Sequence, residues 1–239
     1  MRLDKYLVLK RLVTSRAKAK DIIEQGHVLI NDIVCRDCSY GVSDGDRVDI
    51  PPQAIDIYVS RSAHKLKAAI DFFQTQIRDL EVLDVGMSTG GFTQVLLEYG
   101  AKKVVGVDVG HDQLHSSLQQ DPRVEFFEGI NVKDGLPFEK KFMLIVVDVS
   151  FISITKILPV LIRALDPQGK MLLLIKPQFE QIDNKTSRKL VLSDNESLQI
   201  ADHTRDAILN YDLKCSELLA VPLKGKEGNQ EFFLQCSFL

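Results

Sequence analysis

From about residue 60 onward, short continuous apolar runs alternate with stripes of apolar residues three and four positions apart. Leu66, Ala69, Ile70 and Phe73 make one such stripe, which predicts a helix with Ser60 as its cap. "EVLDV" then reads as a strand, and "GFTQVLLEY" as a helix with Phe92, Val95, Leu96 and Tyr99 on one face. The alternation continues through strand "KKVVGVDV", helix "DQLHSSLQ", strand "RVEFFEG", strand "FMLIVVDV", helix "ITKILPVLIRAL" and strand "KMLLLIK". Apolar runs without internal alternation, set between helices, predict a parallel sheet covered on both faces. After a polar stretch, a helix is expected near 196–209. Two closing strands follow, "CSELLAVPL" and "EFFLQCSF", joined in a hairpin that makes the last strand antiparallel. The fold class is α/β, a Rossmann-like sheet that is parallel except for one antiparallel strand.

The first fifty residues have a different texture. Thr14 or Ser15 can cap a helix through "RAKAKDIIEQ", which Gly26 can stop. "HVLIN" and "IVCRD" around Asn31-Asp32 read as a hairpin, and "VSDGDRVDI" as a turn and closing strand. "PPQAID" reads as a linker. The expected organisation is a small α+β domain over residues 1–54 and the larger sheet domain over 55–239.

Apolar residues are 45% and charged residues 26% of the 239, ordinary for a globular protein, and the net charge of −3 announces no global attraction to nucleic acid. Locally it differs. Arg2, Lys5, Lys10, Arg11, Arg16, Lys18 and Lys20 face only Asp4 before Asp21, a patch suited either to phosphates or to simple solvation of a helix. Cys35 and Cys38 form a lone Cys-x-x-Cys with no matching second pair, and the histidines lack metal-ligand spacing, so no metal is expected. Charges interrupt the start of the chain and no apolar run is long enough to span a bilayer, so a cytoplasmic protein without stable membrane association is expected.

The chemistry gathers at strand ends. Asp84, Asp108, Asp148 and Lys176 terminate four apolar strands, where ligands bind in open α/β sheets. One charge there could be a helix cap or a loop ion pair; four argue for a polar cleft. The turn Gly86-Met87-Ser88-Thr89-Gly90-Gly91 lacks the lysine of a phosphate-binding loop, and Ser88 replaces the middle glycine of a dinucleotide turn. A carboxylate at the mouth, Asp84, repels pyrophosphate and attracts an ammonium group. S-adenosyl-L-methionine carries an ammonium and a sulfonium and no phosphate, and Asp108 is placed for its ribose hydroxyls. Lys65 on the entering helix and Glu231 at the start of the last strand add to Asp148 and Lys176 a set of two lysines and two carboxylates. Such a set suits a hydroxyl nucleophile, because a cation stabilises the developing alkoxide and a lysine of lowered pKa can take its proton.

These residues resemble known families. "RLDKYLVLKRLVTSRAKAKDIIEQGHVLIND" resembles the RNA-binding module named after small-subunit ribosomal protein four. "YVSRSAHKL", "LDVGMSTGGFTQVLL", "VVGVDVGHDQL", "VVDVSFIS", "LIKPQFE" and "KGKEGNQEF" resemble the TlyA (haemolysin A) family of ribosomal RNA 2′-O-methyltransferases, whose catalytic domain is of the FtsJ type. The resemblance implies Lys65, Asp148, Lys176 and Glu231 as the catalytic set. It implies S-adenosyl-L-methionine at Asp84, Gly86, Ser88, Thr89, Gly90 and Asp108, and a cytidine 2′-hydroxyl in ribosomal RNA, free or in a ribosomal subunit, as substrate. It also gives weight to phosphate contacts by Arg2, Lys5, Arg11, Arg16, Lys18 and Lys20. Phe151 and Phe179 are the aromatics available for base stacking. Ser62 stands where the family usually has glycine, Gln94 where it often has aspartate, and "QIDNKTSRKLVLSDNESLQ" lacks the family's glycine-rich stretch and histidine. The competing expectations are a membrane-lytic protein, as the family's older name suggests, and a non-catalytic RNA-binding assembly factor.

Overall fold

The computed structural model describes residues 1–13, 15–51, 58–181, 190–225 and 227–239. Thr14, most of the expected linker and residues 182–189 of the atypical polar stretch lie outside the described residues. The chain divides into two compact units, Met1–Ile57 and Tyr58–Leu239.

In the first unit, α1 (Leu3–Leu9) and α2 (Arg16–Glu24) accompany a three-stranded antiparallel sheet of β1 (Val28–Ile30), β2 (Ile33–Cys35) and β3 (Val48–Asp49), in the order β2-β1-β3. Ser15 caps α2, its hydroxyl accepting from Lys18 N at 3.2 Å. Asn31 and Asp32 both have positive φ, +50° and +67°, the geometry of a two-residue hairpin turn. The helix α1 was not expected: basic residues hide an apolar pair, Leu3 and Leu7, that is fully buried against Ile22, Ile23 and Val28.

The second unit runs α3 (Ser62–Phe73), β4 (Glu81–Val85), α4 (Gly91–Glu98), β5 (Lys103–Val107), α5 (Ser116–Gln119), β6 (Val124–Phe127), β7 (Phe142–Val147), α6 (Ile154–Ala164), β8 (Leu165–Ile175), α7 (Pro177–Glu180), α8 (Asp194–Leu209), β9 (Leu213–Cys215), β10 (Leu219–Ala220) and β11 (Phe232–Phe238). The sheet order is β10-β11-β8-β7-β4-β5-β6, with β9 also on β11. Strands β4 to β8 pair in parallel; β11 runs antiparallel to β8 and to its short partners, so it is the reversed strand among the described residues. Leu83, Val85, Ile145 and Val147 pack on the face bearing α6 and α8, while Val82, Leu144 and Val146 pack on the face bearing α3 and α4. Both sides of each strand are therefore apolar, which is why the runs show no alternation.

Three expected elements differ. Ser60 does not cap α3: Arg61 is the cap residue, and Ser60 closes the preceding turn, accepting Ser62 N at its hydroxyl and Ala63 N at its carbonyl. The helix over "DQLHSSLQ" shrinks to Ser116–Gln119, because the residues before it serve the glycine turn instead. Gln113 Oε1 accepts from Ser88 Oγ at 3.0 Å, His115 N donates to Thr89 O at 3.2 Å, and Leu114 and Leu118 fill the space beneath Gly90. "CSELLAVPL" is broken into β9 and β10, Ser216 meeting Gln235 through one main-chain bond and its own hydroxyl.

The chain lays β4, β5 and β6 outward in one direction, then returns to place β7 on the other side of β4. The order of strands reverses between β4 and β7, and a crevice opens at their carboxyl ends.

Candidate active site

A cavity of about 380 Å³ lies at that reversal, lined in part by Gly86, Ser88 and Thr89 from the turn after β4, Asp148 after β7, Lys176 after β8, Lys65 on α3 and Glu231 before β11. All four residues of the expected lysine and carboxylate set reach it. Lys65 Nζ donates to Glu231 Oε2 at 2.5 Å, with side chains only 12% and 3% exposed. Lys176 Nζ lies 2.5 Å from Asp148 Oδ1, an ion pair off the direction of a hydrogen bond, and donates to Ser150 Oγ at 3.0 Å. Each lysine is held at the head of a strand or helix by a carboxylate from a different segment.

The glycine turn is shaped by its own neighbours. Gly86 has φ +86°, and a Cβ there would stand 2.3 Å from the Asp148 carbonyl oxygen, so only glycine lets the turn press against the end of β7. Ser88 N donates to Asp108 Oδ2 at 2.8 Å, and Gly110 N to Asp108 Oδ1 at 2.7 Å. Asp108 thus braces the turn, while Gly90 is buried under it. Neither residue lines the cavity.

Asp84 departs from expectation. It is fully buried beneath the turn rather than at its mouth. The Thr93 hydroxyl donates to Oδ2 at 2.6 Å and Oδ1 has no partner among the described residues. Burial, with Asp148 and Asp108 nearby adding repulsion, pushes its carboxyl up to about 7. The turn and the apolar packing around β4 cover it completely, a fact that a one-dimensional reading cannot contain.

The six N-terminal cations are held in different ways. Arg2 and Arg16 both pair with the buried Asp4, at 3.1 and 2.7 Å, holding its carboxyl well below the ordinary range. Their guanidinium groups remain about half exposed. Lys20 pairs with Glu24 at 3.6 Å, and Lys5 and Arg11 are exposed; Lys18 is half-buried. Cys35 and Cys38 turn to separate carbonyls, and no metal-binding cluster occurs among the described residues.

Several cavity residues were not singled out beforehand: Arg61, Ser150, Gln178, Lys224 and Glu227. Ser150 carries the one available signal, its place two residues after a strand-terminal aspartate. Phe151 and Phe179 also line the cavity, their rings 4.9 Å apart. Gln94, the departure on α4, accepts Val59 N at 2.8 Å.

Residues 58–238 match the FtsJ-like methyltransferase family, and residues 1–48 match the S4 domain. The chain is 35% identical to the 16S/23S rRNA (cytidine-2'-O)-methyltransferase TlyA of Mycobacterium tuberculosis, over 98% of this chain and 88% of that one. This chain belongs to the TlyA family. It is a methyltransferase, with an S4 domain preceding an FtsJ-like domain in sequence. Another relative is Hemolysin A of Brachyspira hyodysenteriae, 38% identical over 97% of this chain and 98% of its own length. A solved structure from Streptococcus thermophilus, which also carries the hemolysin name, is 32% identical with a TM-score of 0.75, covering 99% of this chain and 87% of its own. A Listeria monocytogenes structure described as S-adenosylmethionine dependent matches with a TM-score of 0.54 at 12% identity, over 75% of this chain and 100% of its own, a likeness of fold alone.

Proposed function

We propose that this chain methylates a ribose 2′-hydroxyl of ribosomal RNA, at a cytidine, using S-adenosyl-L-methionine. The observation that carries the reading is the meeting of two lysine–carboxylate pairs and a glycine turn in one cavity.

The residues fit that cofactor better than a nucleotide phosphate. Ser88 N already serves Asp108 and is no free donor for a phosphate, and the charges of Asp148 and Asp108 both disfavour further negative charge near Asp84. The turn residues Gly86, Ser88 and Thr89, with Gly90 beneath, would hold the cofactor; Asp108, half-buried beside the turn, keeps lone pairs for ribose hydroxyls, and Asp84 acts from below through its bond to Thr93 rather than as a charge facing the ligand. When bound, S-adenosyl-L-methionine supplies a methyl carbon made electrophilic by a sulfonium.

The protein's part is positioning and charge. The Asp148 carboxylate takes the proton that the sugar hydroxyl gives up, and Lys176, fixed by Asp148 and Ser150, is the cation that stabilises the developing negative oxygen. Lys65, fixed by Glu231, adds a second cation to the same cavity. The aromatic edge of Phe151 and Phe179 offers a stacking surface for an unstacked base. Arg2, Lys5, Arg11, Arg16, Lys18 and Lys20 contact RNA phosphates, which gives affinity and orientation rather than sequence choice. Work on ribosomal RNA or its subunits places the protein in the cytoplasm. The curated relative from Mycobacterium tuberculosis supports this substrate by its name.

The deciding experiment is transfer of a labelled methyl group to ribosomal RNA or subunits, with the product mapped by mass spectrometry. Ribose methylation, lost in Lys176→Ala with RNA binding retained, is expected; methylation of a base rejects the assigned chemistry, and RNA binding without turnover makes the protein an assembly factor. The name of the Brachyspira relative favours a membrane-active reading. No helix among the described residues is long and apolar enough to cross a membrane, and dye release from phospholipid vesicles by purified protein is the outcome that reading requires.

A further inference from the structure

We infer that Glu180 is a positioning residue that clamps the segment after β7 to the segment after β8, and so holds Phe151 against Phe179 beside Lys176. The use of that aromatic edge rests on the methyltransferase reading above; the clamp does not.

Sheet pairing cannot hold these segments together. The last register pair of β7 with β8 is Val147 with Leu173, so both Asp148–Ser153 and Lys176–Glu180 extend past the ladder. Beyond it, Lys176 joins their near ends through Asp148 and Ser150, and Glu180 bridges their far ends. The residue is 9% exposed; its Oε1 accepts from Ile154 N at 2.8 Å and its Oε2 from Ser153 Oγ at 2.5 Å. Ser153 is the cap of the eleven-residue α6, but its own hydroxyl serves Thr155 N, which leaves the Ile154 N–H to be satisfied from elsewhere. A carboxylate meets both that N–H and the positive end of the helix. Here the capping group comes from 26 residues away, so capping also ties two strand-end segments into one body.

Phe151 shows what the tie maintains. Its φ is +65°, in the left-handed region where a bulky residue is strained, yet the side chain is 87% exposed, so burial does not explain the conformation. The segment is fixed upstream, where Asp148 N donates to Val85 O at 2.9 Å, and downstream by Glu180 at Ser153 and Ile154. With both ends held, Phe151 has little choice of backbone. Released downstream, it can relax, and its ring leaves Phe179.

The test uses the full chain with Glu180→Ala and Glu180→Gln. Hydrogen exchange without RNA or cofactor is the first readout. In Glu180→Ala the amides of residues 150–154 should exchange about tenfold faster or more, with Ile145 and Leu173 unchanged. Methyl transfer is the second. Glu180→Ala should lower kcat/KM for ribosomal RNA roughly tenfold, but less than about twofold further in a Phe151→Ala background. Unchanged exchange at 150–154, or equal losses in both backgrounds, overturns the inference. If Glu180→Ala does not fold, Glu180→Gln, which keeps the size and one acceptor, carries both readouts with smaller effects of the same sign. Should the wild type methylate no RNA, the function above falls while the exchange result still decides the clamp.

Discussion

Glu231 Oε2 and Lys65 Nζ meet at 2.5 Å although 166 residues separate them, and both are almost wholly buried. A buried pair of this kind is a weak source of stability when intact and a strong source of instability when halved, because the remaining charge has lost its water. Lys65→Ala should therefore lower unfolding stability by about 3 kcal/mol, and adding Glu231→Gln should recover much of it. Urea unfolding of the single and double variants measures this; equal stability of Lys65→Ala and wild type would show that the pair is not desolvated. Methyl transfer should stay low in both.

Asp84 ties stability to pH. Its carboxyl lies near 7 in the folded chain against 3.8 ordinarily, so the native state holds its proton more tightly than the unfolded state does. Stability from this site is intact below about 4, falls as pH rises towards 7, and falls no further above it. Asp84→Asn, which keeps an acceptor for the Thr93 hydroxyl, should remove that slope. The gain over wild type above pH 7 has an upper bound of roughly 4 kcal/mol, the three-unit shift converted at 1.36 kcal/mol per unit. Thermal unfolding between pH 5 and 8, in steps of about half a unit, tests the sign.

Gly86→Ala should be damaging twice over. The added carbon meets the Asp148 carbonyl oxygen at 2.3 Å, and φ +86° disfavours any side chain. A loss of about 2 kcal/mol is expected, together with weaker methyl transfer because Asp148 must move. Full activity in a folded Gly86→Ala protein would show that the turn has room to shift.

RNA binding should depend steeply on salt. Arg11→Gln and Lys5→Gln should each reduce the slope of log affinity against log salt by roughly 0.7 to 0.9, with little change in sequence preference. Asp4→Asn should leave binding strong, since Arg2 and Arg16 are partly exposed, but should weaken the small unit, whose buried carboxylate also accepts Lys5 N at 2.9 Å. Filter binding across a salt series and proteolysis of the variant separate the two effects.

Cys215 and Cys236 are register partners on β9 and β11, with sulfurs 3.1 Å apart. The neighbouring pair Ser216 and Gln235 carries the ladder bond, so the cysteines occupy the alternate, closer-approaching position that suits a cross-strand disulfide. A thiol oxidant such as diamide should link them, with thiol titration losing two groups while Cys35 and Cys38 still react; four groups retained would count against it.

Leu66, Ala69, Ile70 and the unbroken strands between helices announced the α/β architecture, since a helix face and a doubly covered strand each impose a period on the residues they bury. The carboxylates and lysines at strand ends were equally legible, because charge at the end of an apolar run needs a polar place to go. Leu3 and Leu7 escaped notice among basic neighbours: two apolar positions one turn apart carry little periodic signal. The residues of "DQLHSSLQ" look helical in isolation, but Gln113, Leu114 and His115 find better partners in the glycine turn.

Local propensity and the alternation of apolar with charged residues thus announced most of the elements and which strand ends meet in the cavity. They could not place Asp84 beneath the turn instead of in its mouth, or bring Glu180 to the start of α6, or choose Lys65 as the partner of Glu231 from the lysines available. Those outcomes depend on which segments the sheet order brings together and on how far water is excluded there, properties of packing in three dimensions that no neighbouring stretch of chain encodes.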